Sequence, residues 1–413
     1  MKQSQLFTRT QKSAPADEVS ANAKFLARGG FSDKLMAGVY NILPLGLRVL
    51  KKIEQIIREE VDAIGGQEIF MSSLHSKENW KKTDRWSTMD DLYKVKDTSG
   101  REFALGSTHE EIIVPLVKKF IQSYKDLPFA VYQIQNKFRM ELRAKSGLLR
   151  GREFLMKDLY SFHLNEQDLN EYYEKAKEAY WKILERVGLK EKTYFTFASG
   201  GTFSKYSHEF QTLSEAGEDT IYICEKCQNA INKEIKNETL ACPVCGGKKF
   251  KKEKAIEVGN IFKLMDKFTK PFGLKVTDAN GKEKILIMGC YGIGLQRLMG
   301  TIVEIHHDKN GIIWPESVAP FKIHLLELRD EKEKVREEAE KIYKNLSAKN
   351  IEVLYNDRDI SAGEKFADAD LIGIPWRAVV SEKSLKSGGV EMKKRGEKKG
   401  KIIPADKIIN LIH

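Results

Sequence analysis

Arginines recur at short intervals in residues 138–163, FRMELRAKSGLLRGREFLMKDLYSFH. Arg139 and Glu141 are two apart, as are Arg150 and Arg152, and Phe154, Met156 and Asp158 continue the step. A step of two puts alternate side chains on one face of a strand. With residues 143–147 as a polar link, the stretch predicts a two-stranded antiparallel ribbon on which arginines from both strands converge. A guanidinium is a planar fork of donors suited to phosphate oxygens, so such a face could hold a phosphorylated ligand. A hairpin face of merely solvated arginines accounts for the spacing equally well.

Three other stretches carry chemistry. Residues 103–111, FALGSTHEE, place Thr108 and Glu110 where a strand runs into a helix; a carboxylate beside a hydroxyl could receive an ammonium, although a solvated glutamate at a helix start is the commoner case. Residues 284–300, KILIMGCYGIGLQRLMG, read as an apolar strand, a glycine turn and a helix. Gly292 and Gly294 would open a dinucleotide fingerprint, but Arg297 holds the place of its third glycine, which rules that site out. Four of the five cysteines form two pairs, Cys224-x2-Cys227 and Cys242-x2-Cys245, with fourteen residues between them, and Cys290 stands apart. Two such knuckles set four thiolates around Zn²⁺ and leave no open catalytic position. Structural zinc is expected, with metal-free knuckles as the alternative.

These residues need elements to position them. A chain of 413 residues has room for two or three domains, and 41% apolar with 31% charged residues is the composition of a soluble globular protein. No apolar run approaches a membrane span, and no charged-then-apolar leader follows Met1, so the expected location is the cytoplasm. The net charge of +11 favours a polyanionic partner, and the cysteine pattern points to metal before disulfides. A short helix opened at Ala14-Pro15, with Val19, Ala23 and Leu26 on one face, is expected to pack on the main domain. Leu47, Leu50, Ile53, Ile57, Val61 and Ile64 recur at three to four and predict an amphipathic helix stopped at Gly65-Gly66, followed by a strand over 67–71. A further helix is predicted over 167–187, with Tyr173, Ala176, Tyr180, Ile183 and Leu184 inward. Beyond Trp314-Pro315, strands (322–328, 351–354, 377–380) alternate with helices (331–346, 362–371, and from 405), which predicts a separate α/β domain of about 95 residues.

Residues 138–163 resemble motif 2 of the class II aminoacyl-tRNA synthetases, FRxE, a loop, then R-x-R-E-F, and REFLMKD followed by SFH is similar to the prolyl-tRNA synthetases in particular. Residues 38–71 resemble motif 1, which implies a homodimer, and GIGLQR resembles motif 3. The resemblance implies an α+β fold: a catalytic antiparallel sheet flanked by helices (1–220 and 257–316), a small zinc-ribbon-like insertion (221–256) and an α/β anticodon-binding domain (317–413). It implies ATP with Mg²⁺, L-proline and tRNA(Pro) as ligands. Arg139 would meet the α-phosphate and the substrate carboxylate, and Arg297 the γ-phosphate. Glu141, Arg150, Phe154, Gly292 and Gly294 would hold the nucleotide, with Phe154 stacked on adenine. Thr108, Glu110, Arg139, Met156, Asp158, His208 and Cys290 would form the proline pocket. The spacer TFSKY before Ser207-His208 is longer than the family's, so a buried structural His208 stays open.

In the last domain, NDRDISAGEKFADADLIGIP and VEMKKRGEKKG resemble the family's anticodon-binding domain, which makes Arg358, Lys365, Glu391, Lys393 and Arg395 candidate tRNA contacts. The lysines around the cysteines (Lys226, Lys233, Lys236, Lys248, Lys249, Lys251 and Lys252) could face tRNA or simply be solvated. The insertion sits where many bacterial relatives carry a large domain that hydrolyses alanyl-tRNA. A methylene in an apolar pocket is worth only about 1 to 3 kcal/mol of discrimination, so a separate trans-editing protein is expected to clear alanine. The alternatives are a synthetase for another amino acid, such as threonine or glycine, and a non-catalytic tRNA-binding or regulatory paralogue.

Overall fold

The computed structural model describes residues 1–15, 18–142, 144, 146–329 and 333–412. The chain divides into two compact units, one of Leu35–Tyr40 and Ile53–Thr301, the other of Met1–Lys34, Asn41–Lys52 and Ile302–His413. Among the described residues no helix is long and apolar enough to cross a membrane.

The larger unit is organised on nine strands: β1 (Gly66–Glu68), β2 (Phe129–Phe138), β3 (Glu153–His163), β4 (Thr193–Ser199), β5 (Tyr206–Leu213), β6 (Asp219–Cys224), β7 (Ala230–Asn232), β8 (Phe250–Met265) and β9 (Ile287–Gly294). Their order in the sheet is β5-β4-β7-β6-β8-β9-β3-β2-β1. The β1–β2 and β7–β4 pairs are parallel; the others are antiparallel. β8 is long enough, at 16 residues, to pair with β6 along its first part and with β5 and β9 along its later part. Because β5 also pairs with β4, β4 with β7 and β7 with β6, these five strands close into a ring. The strands of residues 221–256, expected as an insertion, are thus hydrogen-bonded into the main sheet.

The motif-bearing hairpin forms between β2 and β3, but the strands stop at Phe138 and resume at Glu153. Arg139, Glu141, Arg150 and Arg152 therefore lie in the connection and not on the strands, a correction to the expected ribbon. Pairing runs one residue further, with Arg139 N donating to Arg152 O at 2.8 Å. Of the expected link, Arg143 and Lys145 lie outside the described residues. Gly38, at φ +76°, holds this connection close: Arg152 N donates to its carbonyl at 2.6 Å, and a Cβ there would come 2.6 Å from that of Ala144.

Four helices matter for the site, the first three being α1 (Pro44–Asp62), α2 (Glu110–Val117) and α3 (Glu166–Arg186). α1 begins on a proline, whose missing N–H is no loss at that position, and buries Leu50, Ile53, Ile57 and Val61; Leu47, expected inward, is 46% exposed. The strand after it is shorter than expected, Gly66–Glu68. α3 is capped by Asn165, whose side chain accepts from Asp168 N at 3.0 Å. It buries Tyr173, Ala176, Tyr180, Ile183 and Leu184 as predicted, at about 1.5 to 3 kcal/mol for each large apolar side chain. Met71, Ile113, Val114, Phe162, Phe268, Leu286 and Met288 form a second core cluster within the unit. A fourth helix, α4 (Leu295–Ile305), follows directly on β9.

The smaller unit contains a five-stranded sheet ordered β11-β10-β12-β13-β14, from β10 (Ile323–Leu328), β11 (Val353–Asn356), β12 (Trp376–Ser381), β13 (Val390–Lys394) and β14 (Lys401–Ile403). The first three are parallel and the last two antiparallel. Helices α5 (Lys334–Ala348) and α6 (Ala362–Ile372) serve separate apolar clusters, Leu325 with Ala339 and Ile342, and Leu326 with Ala369. The amino-terminal stretch belongs to this unit, contrary to the expectation that it packs on the main domain. Tyr355 N donates to Met1 O at 2.9 Å, and His324 Nε2 lies 3.0 Å from Gln3 Oε1. β11 is an edge strand with main-chain groups to satisfy, and residues 1–3 supply partners. The helix there is Ala21–Arg28; Ala23 and Leu26 are buried, but Val19 is 84% exposed.

Candidate active site

A cleft of about 500 Å³ opens on the larger unit. β3 contributes Phe154, Met156 and Asp158 at the predicted step of two, and β9 contributes Cys290, Gly292 and Gly294. Register sets this up: Asp158 stands opposite Gly292 and Met156 opposite Gly294, so side chains from one strand rise beside bare backbone on the next. A Cβ at 292 would lie 3.7 Å from Met156 Sδ, and one at 294 would lie 3.6 Å from Arg297 Cβ, both ordinary contacts. The protein itself would accept a methyl at either place; what it would fill is cleft space.

Two guanidinium groups from distant parts of the chain face this cleft. Arg139, from the β2–β3 connection, sits 5.4 Å from the centre of the Phe154 ring, and its Nε donates to Ser107 O at 3.4 Å. Arg297, in the first turn of α4, donates through Nε to Leu149 O at 2.8 Å and through Nη1 to Glu257 at 3.3 Å. Glu141 and Arg150 do not line the cleft. They are hydrogen-bonded to each other at 2.8 Å, and Arg150 Nη1 also meets Glu218 at 2.6 Å.

One end of the cleft is built around Glu110, at the start of α2. Its carboxylate is fully buried behind Thr108 and Cys290, which do line the cleft. Thr108 Oγ1 donates to one of its oxygens, Cys290 Sγ lies 3.3 Å from the other, and Arg85 Nη1 approaches at 3.5 Å. Arg85 is itself buried, 3.0 Å from Glu111 and about 5 Å from the rings of Trp80, Phe203 and Phe268. Burial, and then the Glu110 charge, push the Cys290 thiol well above its ordinary value, so it stays protonated. Beneath lies Asp158, bound to Lys137 Nζ at 2.7 Å, Gln133 Nε2 at 2.9 Å and Tyr160 Oη at 2.9 Å. Burial alone would raise this carboxyl; the Lys137 charge, aided by His109 and the hydrogen bonds, outweighs it and holds the carboxyl below its usual range. Burial lowers His75 to about 4 and His109 to about 3. Both Nε2 atoms lie near Ser72 O, at 3.0 and 3.1 Å, and since a carbonyl can only accept, both carry their proton there.

His208 does not reach the cleft. Its ring stacks on Phe195 at 4.7 Å, stands edge-on to Phe197 at 4.6 Å, and its Nδ1 lies 2.6 Å from Tyr173 Oη, the structural histidine left open by the long spacer. The next residue, Glu209, lines the cleft instead: the strand was identified and its parity was not. Glu209 accepts from Gln211 Nε2 at 2.8 Å and Asn232 Nδ2 at 3.0 Å, and burial, then the Glu257 charge, push it up to about 8. Asp219 is raised as well, first by burial and then by Glu257 against the help of Gln211. Glu209 and Asp219, whose ionisation the Glu257 charge opposes, are groups a nearby hard cation would stabilise. Sequence reasoning missed Glu209, Glu257 and Arg85. Glu257 was detectable as a charge inside the apolar strand AIEVGNIF; Arg85, in a polar loop, left no periodic signal.

The Sγ atoms of Cys224, Cys227, Cys242 and Cys245 all lie within 4.8 Å of one another. A zinc–sulfur bond of about 2.3 Å implies sulfur–sulfur edges of about 3.8 Å in a tetrahedron. Cys224–Cys245 and Cys227–Cys242, both at 3.5 Å, come close to that edge, so the four thiols fit a structural Zn²⁺.

Of the candidate tRNA contacts in the smaller unit, Lys365 is corrected outright. It is 1% exposed and its Nζ donates to Glu327 O at 2.6 Å, which leaves nothing to offer a nucleic acid. Arg358 is paired with Asp368 at 2.6 Å, and Arg395 grips Asp308 with two 2.8 Å bonds. Glu391 and Lys393 are half-buried on β13.

Comparison with known proteins adds to this geometry. Residues 93–306 match the family model described as the tRNA synthetase class II core domain (G, H, P, S and T), and residues 317–413 match the anticodon binding domain. The proline–tRNA ligase of Dehalococcoides mccartyi is 33% identical over 561 aligned positions, covering 100% of this chain and 98% of the relative. That of Persephonella marina is 35% identical over 563, with 100% of both covered. Since the chain has 413 residues, each relative carries within the aligned span a long stretch with no counterpart here. Among solved structures, Giardia lamblia prolyl-tRNA synthetase in complex with prolyl-adenylate has the same fold, with a TM-score of 0.78 at 18% identity over 93% of this chain and 74% of that one.

Proposed function

The chain belongs to the class II tRNA synthetases, within the proline–tRNA ligase family, and from that premise we propose how its cleft carries out the reaction. A carboxylate oxygen of L-proline attacks the α-phosphorus of ATP in line, the bond to the bridging oxygen of the β-phosphate breaks, and pyrophosphate leaves. The terminal ribose hydroxyl of tRNA(Pro) then attacks the carbonyl carbon of prolyl-adenylate, gives up its proton, and AMP leaves. Neither step needs a covalent enzyme group; charge placement and alignment carry them. Arg139 serves the α-phosphate and the substrate carboxylate, Arg297 the γ-phosphate, and Phe154 the adenine, while Gly292 and Gly294 leave room for the nucleotide. Glu110, reached through Thr108 and bordered by Cys290, Met156 and Asp158, is the anion for proline's ammonium. Mg²⁺ would neutralise the triphosphate, and Glu209 and Glu257, which line the cleft, are the candidates to hold it. Glu141 and Arg150 are closed on each other, so we give them the loop's shape as their first task.

The observation that carries this reading is that Arg139 and Arg297 face one cleft that ends at Thr108, Cys290 and the buried Glu110. Proline-dependent exchange of pyrophosphate into ATP tests it. Exchange driven by threonine or glycine would move the chain to another specificity, and none with any amino acid would make it a non-catalytic paralogue.

We further propose structural zinc on the four cysteines, a cytoplasmic homodimer, and anticodon contacts from Glu391, Lys393, Arg358 and Arg395 once the arginines leave their carboxylates. Phe70 within the motif 1 segment, and Leu35 and Met36 just ahead of it, at 80%, 66% and 56% exposure, support a partner subunit there. The stretch present in the relatives and absent here supports an enzyme without cis-editing, served by a separate trans-editing protein. Rapid hydrolysis of alanyl-tRNA(Pro) by the purified chain would overturn that part.

A further inference from the structure

The connection between the two cysteine pairs makes the ribbon part of the cleft. Glu234, Ile235 and Glu238 line it, and Glu238 accepts from Tyr206 Oη at 2.9 Å. The knuckle end of the same ribbon is different in kind. Lys226, Lys248 and Lys249 are exposed there, and among the described residues none has an acidic partner within 4 Å. They share one tip: a Cβ at Gly247 would lie 3.6 Å from Lys226 Cβ, and Glu225 N donates to Lys249 O at 3.2 Å. In the second knuckle of that ribbon Leu240 is 80% exposed and Val244 56%. Unpaired lysines beside exposed apolar side chains suit an anionic partner that also offers an apolar face, and this tip belongs to the ribbon that walls the cleft. A polyanion that also presents a flat stacked end uses both.

We propose that this tip docks the acceptor end of tRNA, with Lys226, Lys248 and Lys249 on backbone phosphates and Leu240 and Val244 against the end of the base-paired stem. The proposal rests on the ligase reading, because the 3′ end must enter the cleft whose wall this ribbon forms. Lysines on phosphates supply affinity without sequence preference, so the tip would serve orientation and leave identity to other contacts.

The test is the full-length triple variant K226A/K248A/K249A, with its zinc content measured alongside. Proline-dependent exchange should stay within about twofold of the unaltered chain, while KM for tRNA(Pro) rises about tenfold; the salt dependence should flatten by about 2 to 3 in log–log slope, since each of the three phosphate contacts contributes about 0.7 to 0.9. L240A/V244A should raise KM for tRNA and leave the salt slope alone. An unchanged KM and slope in the triple variant would overturn the proposal. So would an equal fall in exchange and charging, since the tip would then act on the cleft and not on RNA. If the unaltered chain shows no proline-dependent exchange, the ligase reading fails, and direct tRNA binding to both chains still decides the role of the tip.

Discussion

A guanidinium stabilises a phosphoryl transition state best when it is held in place before the ligand arrives, and main-chain carbonyls do that here. Ser107 O holds Arg139, and Leu149 O and Glu257 O hold Arg297. Replacing either arginine by alanine should lower proline-dependent exchange by on the order of 10² to 10³, and lysine should not restore it, because a point charge cannot make the two-pronged contact. Gly294→Ala should leave the melting temperature unchanged, as the nearest atom would be 3.6 Å away, yet raise KM for ATP about tenfold, the scale of a single lost contact. Glu209 gives a pH signature. Its folded pKa of about 8 lies above the ordinary 4.5, so the folded state binds the proton more tightly. Its contribution is fully present below about pH 4.5 and is lost as pH rises through 8. Glu209→Gln should flatten the decline of the melting temperature between those limits when Mg²⁺ is absent, measured by calorimetry across pH. The alternation Phe154, Met156, Asp158 was legible in the sequence because one strand face is enough to state it. His208 was misplaced because parity on β5 depends on how many residues its preceding turn takes up, and TFSKY lengthens that turn.

At the level of elements, the cysteine pairs and the ring of five strands depend on each other. β7 has just three residues, one parallel and one antiparallel neighbour, and a knuckle on each side of its connection. With so few hydrogen bonds of its own, it would depend on the proposed zinc to fix the ends of the loop that carries it. Removing zinc with a chelator, or making Cys242→Ser, should lower the melting temperature of the larger unit, and amide exchange should speed up first in residues 225–249. Loss of protection elsewhere with the ribbon intact would argue against that coupling. Local spacing made the knuckles readable. The ring was not readable, because the pairs β4–β7, β5–β8 and β6–β8 join strands well separated in sequence, and Ala230–Asn232 is too short to show a period. Helices fared better: the apolar stripes of α1, Leu47 apart, and of α3 are written within single segments.

For the whole molecule, a chain of 47.2 kDa proposed as a homodimer should sediment at twice that mass, and Phe70→Asp, on a side chain 80% exposed, should shift it toward the monomer. The carboxy-terminal α/β texture was legible from the alternation of strand and helix, whereas the docking of residues 1–3 on β11 was not, since a stretch that adds main-chain hydrogen bonds to an edge needs no distinctive side chains. The ring also limits what can be cut away. Residues 221–256 look in sequence like an appendage that could be trimmed, yet they hold β7, most of β6 and the first part of β8, so β4 loses its neighbour on that side and β5 loses part of its own. Newly bare edges would then face solvent beside the cleft, open to pairing with any other chain, so a shortened version should aggregate before it lost its chemistry.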